Sequence, residues 1–223
     1  MSEIITIAID GPAGAGKSSV SDQLAKQLNI LHLDTGALYR ACALACVQAN
    51  ISRNDKEAIL EIVKEAEVSV DFKNDKQITL LNGENVNHLI RTPEVSTWAS
   101  DVSALQEVRI KLLDLQRDLS KSMSMVVDGR DIASNVLPDA KYKIYLDATA
   151  EIRALRRFNE LKDKNPDLTY EAVLKEQKYR DEQDKNREFA PLIIAEDAHY
   201  IESSDMTIQD TVDAILEYMT SIE

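Results

Sequence analysis

Ile4-Ile-Thr-Ile-Ala-Ile-Asp10, running directly into Gly11-Pro-Ala-Gly-Ala-Gly16-Lys17-Ser18, is the stretch on which the fold turns. Its first part is a continuous apolar run ending in an acid, suited to a parallel strand buried on both faces. Its second part matches G-x-x-x-x-G-K-[ST] at every fixed position. From Lys17 to Leu28 the apolar residues Val20, Leu24 and Leu28 recur every four, which predicts a helix with one stripe facing a sheet. Strand, glycine loop and helix in that order make a cradle for phosphate. Backbone N–H groups curl around the anion, and the helix N-terminus directs a partial charge of about +0.5 at it. Lys17 then reaches the β- and γ-phosphates, and the Ser18 hydroxyl is placed to ligate Mg2+.

Outward from this loop, short apolar runs return at Ile30–Leu33, Met123–Asp128, Tyr142–Asp147 and His199–Glu202, each separated by helical sequence. The expected fold class is therefore α/β, a P-loop NTPase-type parallel sheet flanked by helices. A last helix is expected from near Thr207, where Thr207-Ile-Gln-Asp210 fits a capping box. One region breaks the alternation. Val68–Phe72 has period two, Ile78–Leu81 is β-prone, and Asn82-Gly83 before Glu84–Val86 is a two-residue hairpin signal. A small antiparallel insertion should begin near Glu65 and end before Thr92-Pro93, where Pro93 suits the first turn of a long helix.

Composition narrows the function classes. The 223-residue chain has 6 glycines, where ordinary usage gives roughly 16, and half of them lie in Gly11–Gly16. With 44% apolar and 29% charged residues it is neither disordered nor a disulfide scaffold. The two cysteines, Cys42 and Cys46, lie four apart in an apolar helical stretch and are expected to pack in a core, as is the lone Trp98. His32, His88 and His199 form no metal-ligand pattern, so each is expected in packing or at the surface. A net charge of −13 argues against nucleic-acid or anionic-membrane partners, and the N-terminus lacks a secretory pattern, so a cytoplasmic location is expected. Eight acidic and no basic residues from Leu192 to Glu223 supply most of that excess, while an arginine-rich segment, Lys141–Pro191, is nearly neutral.

A phosphate loop alone does not separate a switch GTPase, a motor ATPase and a small-molecule kinase. No N-K-x-D element is present, which weakens the switch reading. Met125-Val-Val-Asp128 is an apolar strand ending in an acid, which places Asp128 like a Walker-B carboxylate beside the Mg2+ site. Arg180, Asp184 and Arg187 are spaced to share one helix face, either as a surface that closes over phosphates or as an exposed ladder of ion pairs.

These residues resemble a known family, the bacterial cytidylate (CMP) kinases within the nucleoside monophosphate kinases. The resemblance rests on GPAGAGKSS (11–19), LDTGALYR (33–40), IRTPEVS (90–96), VVDGRDI (126–132), YLDA (145–148), RALRR (153–157) and YRDEQDKNREFAPL (179–192). It implies a kinase core at 1–64, 93–152 and 188–223, a nucleotide-binding insert at 65–92, and a short helical lid at 153–187. The implied reaction carries the γ-phosphoryl group of ATP to CMP or dCMP, with Mg2+, in a monomer. Its close alternative is another small-molecule P-loop kinase, such as a UMP-directed one.

By the same resemblance, Gly11, Pro12, Ala13, Gly14, Ala15, Gly16, Lys17, Ser18 and Ser19 would hold the ATP phosphates, with Ser18 and Asp128 at the metal. Arg40 and Arg130 would hold the CMP phosphate. Asp131, Arg109 and Ser100 would read the cytosine, with Thr35 nearby, and Arg180 and Asp184 would hold the ribose. Lys17, Arg130, Arg157 and Arg187 would act in the transfer, while Arg153 and Arg156 cluster with Arg157 without assigned roles. Ala13 stands where some members have serine, which removes one possible hydroxyl contact; Thr35, where serine is also common, keeps one. Ser100 and Arg109 are nine residues apart, about half a turn out of phase on an unbroken helix, so contact of both with one base requires a break near Ser103–Leu105.

Overall fold

The computed structural model describes residues 4–163 and 165–222; residues 1–3, 164 and 223, which fall in the expected core and lid, lie outside the described residues. The opening run forms strand β1 (Thr6–Asp10), and the helix after the glycine loop, α1, spans Lys17–Leu28. β1 starts later than the apolar run because Ile4 and Ile5 are exposed. Next come β2 (Leu31–Asp34), α2 (Thr35–Gln48), α3 (Lys56–Glu65), β3 (Val68–Lys73), β4 (Lys76–Leu81), β5 (Glu84–Asn85) and α4 (Pro93–Ser103). The chain continues with α5 (Gln106–Ser122), β6 (Met125–Asp128), a π-helical turn at Ile132–Val136, and β7 (Tyr142–Asp147). It ends with α6 (Ala150–Leu161), α7 (Tyr170–Asn186), β8 (His199–Glu202) and α8 (Ile208–Ser221).

β2, β6, β1, β7 and β8 form one five-stranded sheet in that order, and every pairing is parallel. Ile7 and Ile9 pack with Val20 and Leu24 of α1 and Val212 and Ile215 of α8. Ala8 packs in a separate cluster with Leu33, Val127, Ile132 and Val136. Burial on both faces is what an unbroken apolar run encodes, and each fully buried isoleucine contributes roughly 1.5–3 kcal/mol. The register pairs Asp34 with Asp128, and Ile9 with Asp128, so Asp34, Asp128 and Asp10 end three neighbouring strands. Carboxyl ends of parallel strands are where such sheets bind ligands.

A second core joins α2, α3, α4 and α5 to the insert and contains Leu38, Ile59, Trp98 and Leu112. Cys42 and Cys46 are free and buried there, and burial pushes their thiols up to about 12 and about 11, so both behave as packing groups. β3, β4 and β5 form a separate antiparallel sheet. Its Asn82-Gly83 turn has the positive φ values that the sequence predicts. Asn74 and Asp75 make a second left-handed turn without glycine, using the tolerance of short polar side chains for that conformation. Lys111 on α5 donates its Nζ to the carbonyls of Val63, Lys64 and Ala66 at 2.6, 2.8 and 2.7 Å, satisfying the C-terminal end of α3 where the insert begins.

Gly11 follows β1 with φ +149°, and a Cβ there would overlap the Leu146 carbonyl oxygen of β7. A Gly11→Ala protein is expected to lose roughly 2–5 kcal/mol from strain and overpacking together. Urea unfolding checks this: a midpoint equal to that of the parent would mean that the loop moves away at no cost.

Candidate active site

In the glycine loop Gly14 and Gly16 take φ values of 78° and 93°, a left-handed path that turns successive N–H groups toward one centre. Lys17 is buried and donates its Nζ to the Pro12 carbonyl at 2.8 Å. Burial, aided by the Arg130 guanidinium, pulls the Lys17 ammonium down to about 7. A bound polyphosphate supplies the negative charge that favours its protonated form.

Ser18 donates its Oγ to Asp128 Oδ2 at 3.0 Å, and Thr35 donates its Oγ1 to the Asp128 carbonyl at 2.7 Å. The other carboxylate oxygen of Asp128 lies 2.8 Å from His32 Nε2. Burial by itself would lower the His32 pKa, but the Asp128 hydrogen bond and charge outweigh it and raise it. His32 thus sits against the site's acid, although its sequence context suggested only packing or surface. Among the described residues no group of three or more His, Cys, Asp or Glu side chains could hold a metal ion. One hydroxyl and one carboxylate beside a phosphate cradle fit Mg2+, which binds few protein ligands and completes its shell with water and phosphate oxygens.

A cavity of about 660 Å³ opens beside this loop. Among the described residues its lining holds nine cationic side chains against five carboxylates, in a chain of net charge −13, so the local field favours polyanions. Arg130 pairs with Asp184 at 2.8 Å, which holds the Asp184 carboxyl low against its own burial and raises Arg130. Arg109 pairs with Asp131 and lies over the Tyr39 ring at 5.0 Å. Arg187 sits 3.5 Å from Asp131 and 3.7 Å from Asp184, and burial with the nearby Arg109 charge lowers its pKa. Arg40 and Arg91 approach Asp34 at 3.5 and 2.9 Å and keep that buried acid low. Among the described residues, Arg40 Nη1 and Arg187 Nη2 are buried with no hydrogen-bond partner, the kind of unmet donor that an anionic ligand satisfies.

The helix break required for Ser100 and Arg109 to meet is present. α4 ends at Ser103, α5 begins at Gln106, and both residues line the cavity. So do Ala13, Gly14, Ala15, Gly16, Lys17, Ser18, Ser19, Thr35 and Arg40, together with Asp128, Arg130, Asp131, Arg157, Arg180, Asp184 and Arg187. Gly11 and Pro12 lie outside the lining. Gly11 packs against β7, and Pro12 offers its carbonyl to Lys17. Arg187 stands one residue past the end of α7, with extended backbone, rather than on the helix face shared by Arg180 and Asp184.

The three clustered arginines divide. Arg153 is saturated by protein: Nε donates to the Ala148 carbonyl at 2.8 Å, Nη1 to the Ala13 carbonyl at 2.9 Å, and both Nη atoms to Asp181 at 3.1 and 2.7 Å. It clamps α6, α7 and the glycine loop together. Arg156 reaches the Ala15 carbonyl at 3.4 Å and the Ser203 carbonyl at 2.7 Å. Arg157 pairs with Glu160 at 3.0 Å. Sequence reading passed over Asp34, Tyr39, Arg91 and Gln177, which also line the cavity. Asp34, Tyr39 and Arg91 lie inside motifs that were already conspicuous, whereas Gln177 carries no local signal.

Comparison with known proteins adds an independent line. The family profile described as cytidylate kinase matches residues 7–221. The curated cytidylate kinase of Caldicellulosiruptor bescii is 49% identical over 213 residues, covering 96% of this chain and 94% of that protein. Its counterpart from Caldicellulosiruptor saccharolyticus is 50% identical with the same coverage. Among solved structures, an uncharacterized protein from Eubacterium ventriosum aligns with a TM-score of 0.53 at 16% identity, covering 97% of this chain and 99% of that one, a likeness of fold alone.

Proposed function

We propose the roles that follow from one premise: this chain belongs to the cytidylate kinase family. It is a nucleoside monophosphate kinase, transferring the γ-phosphoryl group of ATP to CMP or dCMP. The observation that carries the reading is a single cavity with the glycine loop and Lys17 in its lining together with the Arg40, Arg109, Arg130 and Asp131 cluster. Two nucleotides bound there would meet end to end.

In the transfer, a phosphate oxygen of CMP attacks the γ-phosphorus while the bond to the β,γ-bridging oxygen breaks and ADP leaves. The attacking oxygen is ionised at neutral pH, so no side chain has to remove a proton. Catalysis then reduces to alignment and charge neutralisation. The loop N–H groups and Lys17 hold the ATP phosphates, Arg40 and Arg130 hold the CMP phosphate, and Arg157 and Arg187 neutralise charge on the migrating group. Asp131 accepts from the cytosine amino group, while Arg109 and Ser100 donate to the ring and Thr35 closes that edge. Arg180 and Asp184 hold the ribose. Ser18 and Asp128 would hold Mg2+, which neutralises charge on the β- and γ-oxygens when bound.

In the same reading, residues 65–92 form the CMP-side insert, 153–187 the lid, and the remainder the core. A monomeric enzyme is part of the same proposal. No helix among the described residues is long and apolar enough to cross a membrane; a cytoplasmic location belongs to the same proposal.

With ATP and Mg2+, CMP and dCMP are expected to turn over faster than UMP, AMP or GMP in a panel measured as kcat/KM. A purine in first place would sink the assignment, and UMP in first place would redirect it to a uridylate kinase.

A further inference from the structure

Helices in this chain whose N-cap is an aspartate are capped by that residue's own carboxylate. Asp34 accepts from the Ala37 N–H at the start of α2, and Asp55 accepts from the Ala58 N–H at the start of α3. Asp131 stands in the same position before the π-helical turn Ile132–Val136, yet among the described residues its side chain makes no such bond. Its oxygens instead meet Arg109, Arg187 at 3.5 Å and Asn135 Nδ2 at 3.0 Å. The first donors of the turn are taken by another acid, 122 and 123 residues away in sequence. Asp10 Oδ1 accepts from the Ile132 N–H at 2.8 Å, and Asp10 Oδ2 accepts from the Ala133 N–H at 2.7 Å. Asp10 is 2% exposed, so both bonds are shielded from water.

We infer that Asp10 is a positioning residue for the CMP side of the site: by capping the turn from the end of β1, it fixes Arg130 and Asp131 and leaves the Asp131 carboxylate free to face the cavity. Without the remote cap, the N–H groups of the turn would draw the nearest carboxylate, that of Asp131, onto themselves. The base reader would then fold back onto its own backbone. The inference rests on the base-reading role proposed for Asp131, and it extends that role to a residue that does not line the cavity. Burial pushes the Asp10 carboxyl up to about 7 despite the two backbone donors.

The test is Asp10→Asn, whose amide keeps one acceptor oxygen and turns an NH2 group toward the other backbone donor. Amide hydrogen exchange at Ile132 or Ala133 is expected to accelerate at least tenfold, and the KM for CMP to rise by about the same factor, as leaving one buried donor without its acceptor implies. The KM for ATP is expected to stay within about threefold, because the cap serves the CMP side. Retained protection at both amides overturns the cap. Lost protection with an unchanged CMP KM overturns the positioning role, as does a rise confined to the ATP KM. In the unmodified protein both amides are expected to exchange as slowly as the sheet core, and fast exchange there overturns the cap without any variant. Asp131→Ala, measured alongside, separates the two layers. If that protein, which keeps no acceptor there, still prefers CMP to UMP, the base-reading role fails by itself, while exchange and CMP KM in Asp10→Asn continue to judge the positioning of the turn.

Discussion

A Lys17→Met protein is expected to fold and bind CMP as its parent does, yet to transfer phosphoryl some two to three orders of magnitude more slowly. The magnitude follows from removing one preorganised charge from a water-poor site, about 3–4 kcal/mol of transition-state stabilisation. The fold is expected to survive because Lys17 is a buried ammonium pulled down to about 7, so folding disfavours its charged form. The sign can be worked out. Between pH 7 and the ordinary lysine value, the unfolded chain carries a proton at Lys17 that the nucleotide-free folded chain lacks. Stability from this group therefore rises with pH across that window, and methionine removes the slope. Single-turnover kinetics at saturating ATP and CMP checks the rate, and urea midpoints at pH 7 and 9 check the slope. A rate within threefold of the parent's would remove Lys17 from the transfer.

The second large effect is expected at Asp131. Its carboxylate faces the buried guanidinium groups of Arg109 and Arg187, and because Arg187 keeps Asp184 at 3.7 Å, Asp131→Ala leaves Arg109 as the cation without its carboxylate in the protein interior. Breaking a buried pair from one side costs about 3–5 kcal/mol. The same substitution is expected to cut kcat/KM for CMP by two or more orders of magnitude while leaving the ATP KM near its starting value. Discrimination between pyrimidines should collapse with it. Cytosine presents an amino donor where uracil presents a carbonyl acceptor, so a carboxylate attracts one and repels the other. Parallel measurement of CMP and UMP, with a thermal melt, tests both halves. Equal losses for the two substrates would sink the base-reading role, and an unchanged Tm would sink the buried-pair argument.

What could be read from sequence was whatever has a local period or a local shape. The helix at Lys17–Leu28, the strands at Tyr142–Asp147 and His199–Glu202, the Thr207 capping box and the Asn82-Gly83 turn all lie where pattern puts them. The break between α4 and α5 was required by helical phase only once the family resemblance set Ser100 and Arg109 at one base. Of the site residues assigned through the conspicuous motifs, all but Gly11 and Pro12 line one cavity. Hidden features share one property: their partner is remote in sequence. His32 meets Asp128 across 96 residues, Arg153 meets Ala13 across 140, and Asp10 meets the turn at Ile132 across 122. No window of local sequence registers such a pairing. The Asn74-Asp75 turn was missed for a different reason, since neither residue is the glycine that usually announces a left-handed bend.

The joint at Ala104-Leu105 also restricts how this protein can drift over evolutionary time. Substitutions at those two positions change little that the cavity sees, but a change in length does. One residue inserted or deleted there rotates all of α5 by about 100° relative to α4 and swings Arg109 off Tyr39 and Asp131. The residue count of the joint is therefore fixed by angle, whereas its composition is held only at Leu105, which packs against the second core, and not at the exposed Ala104.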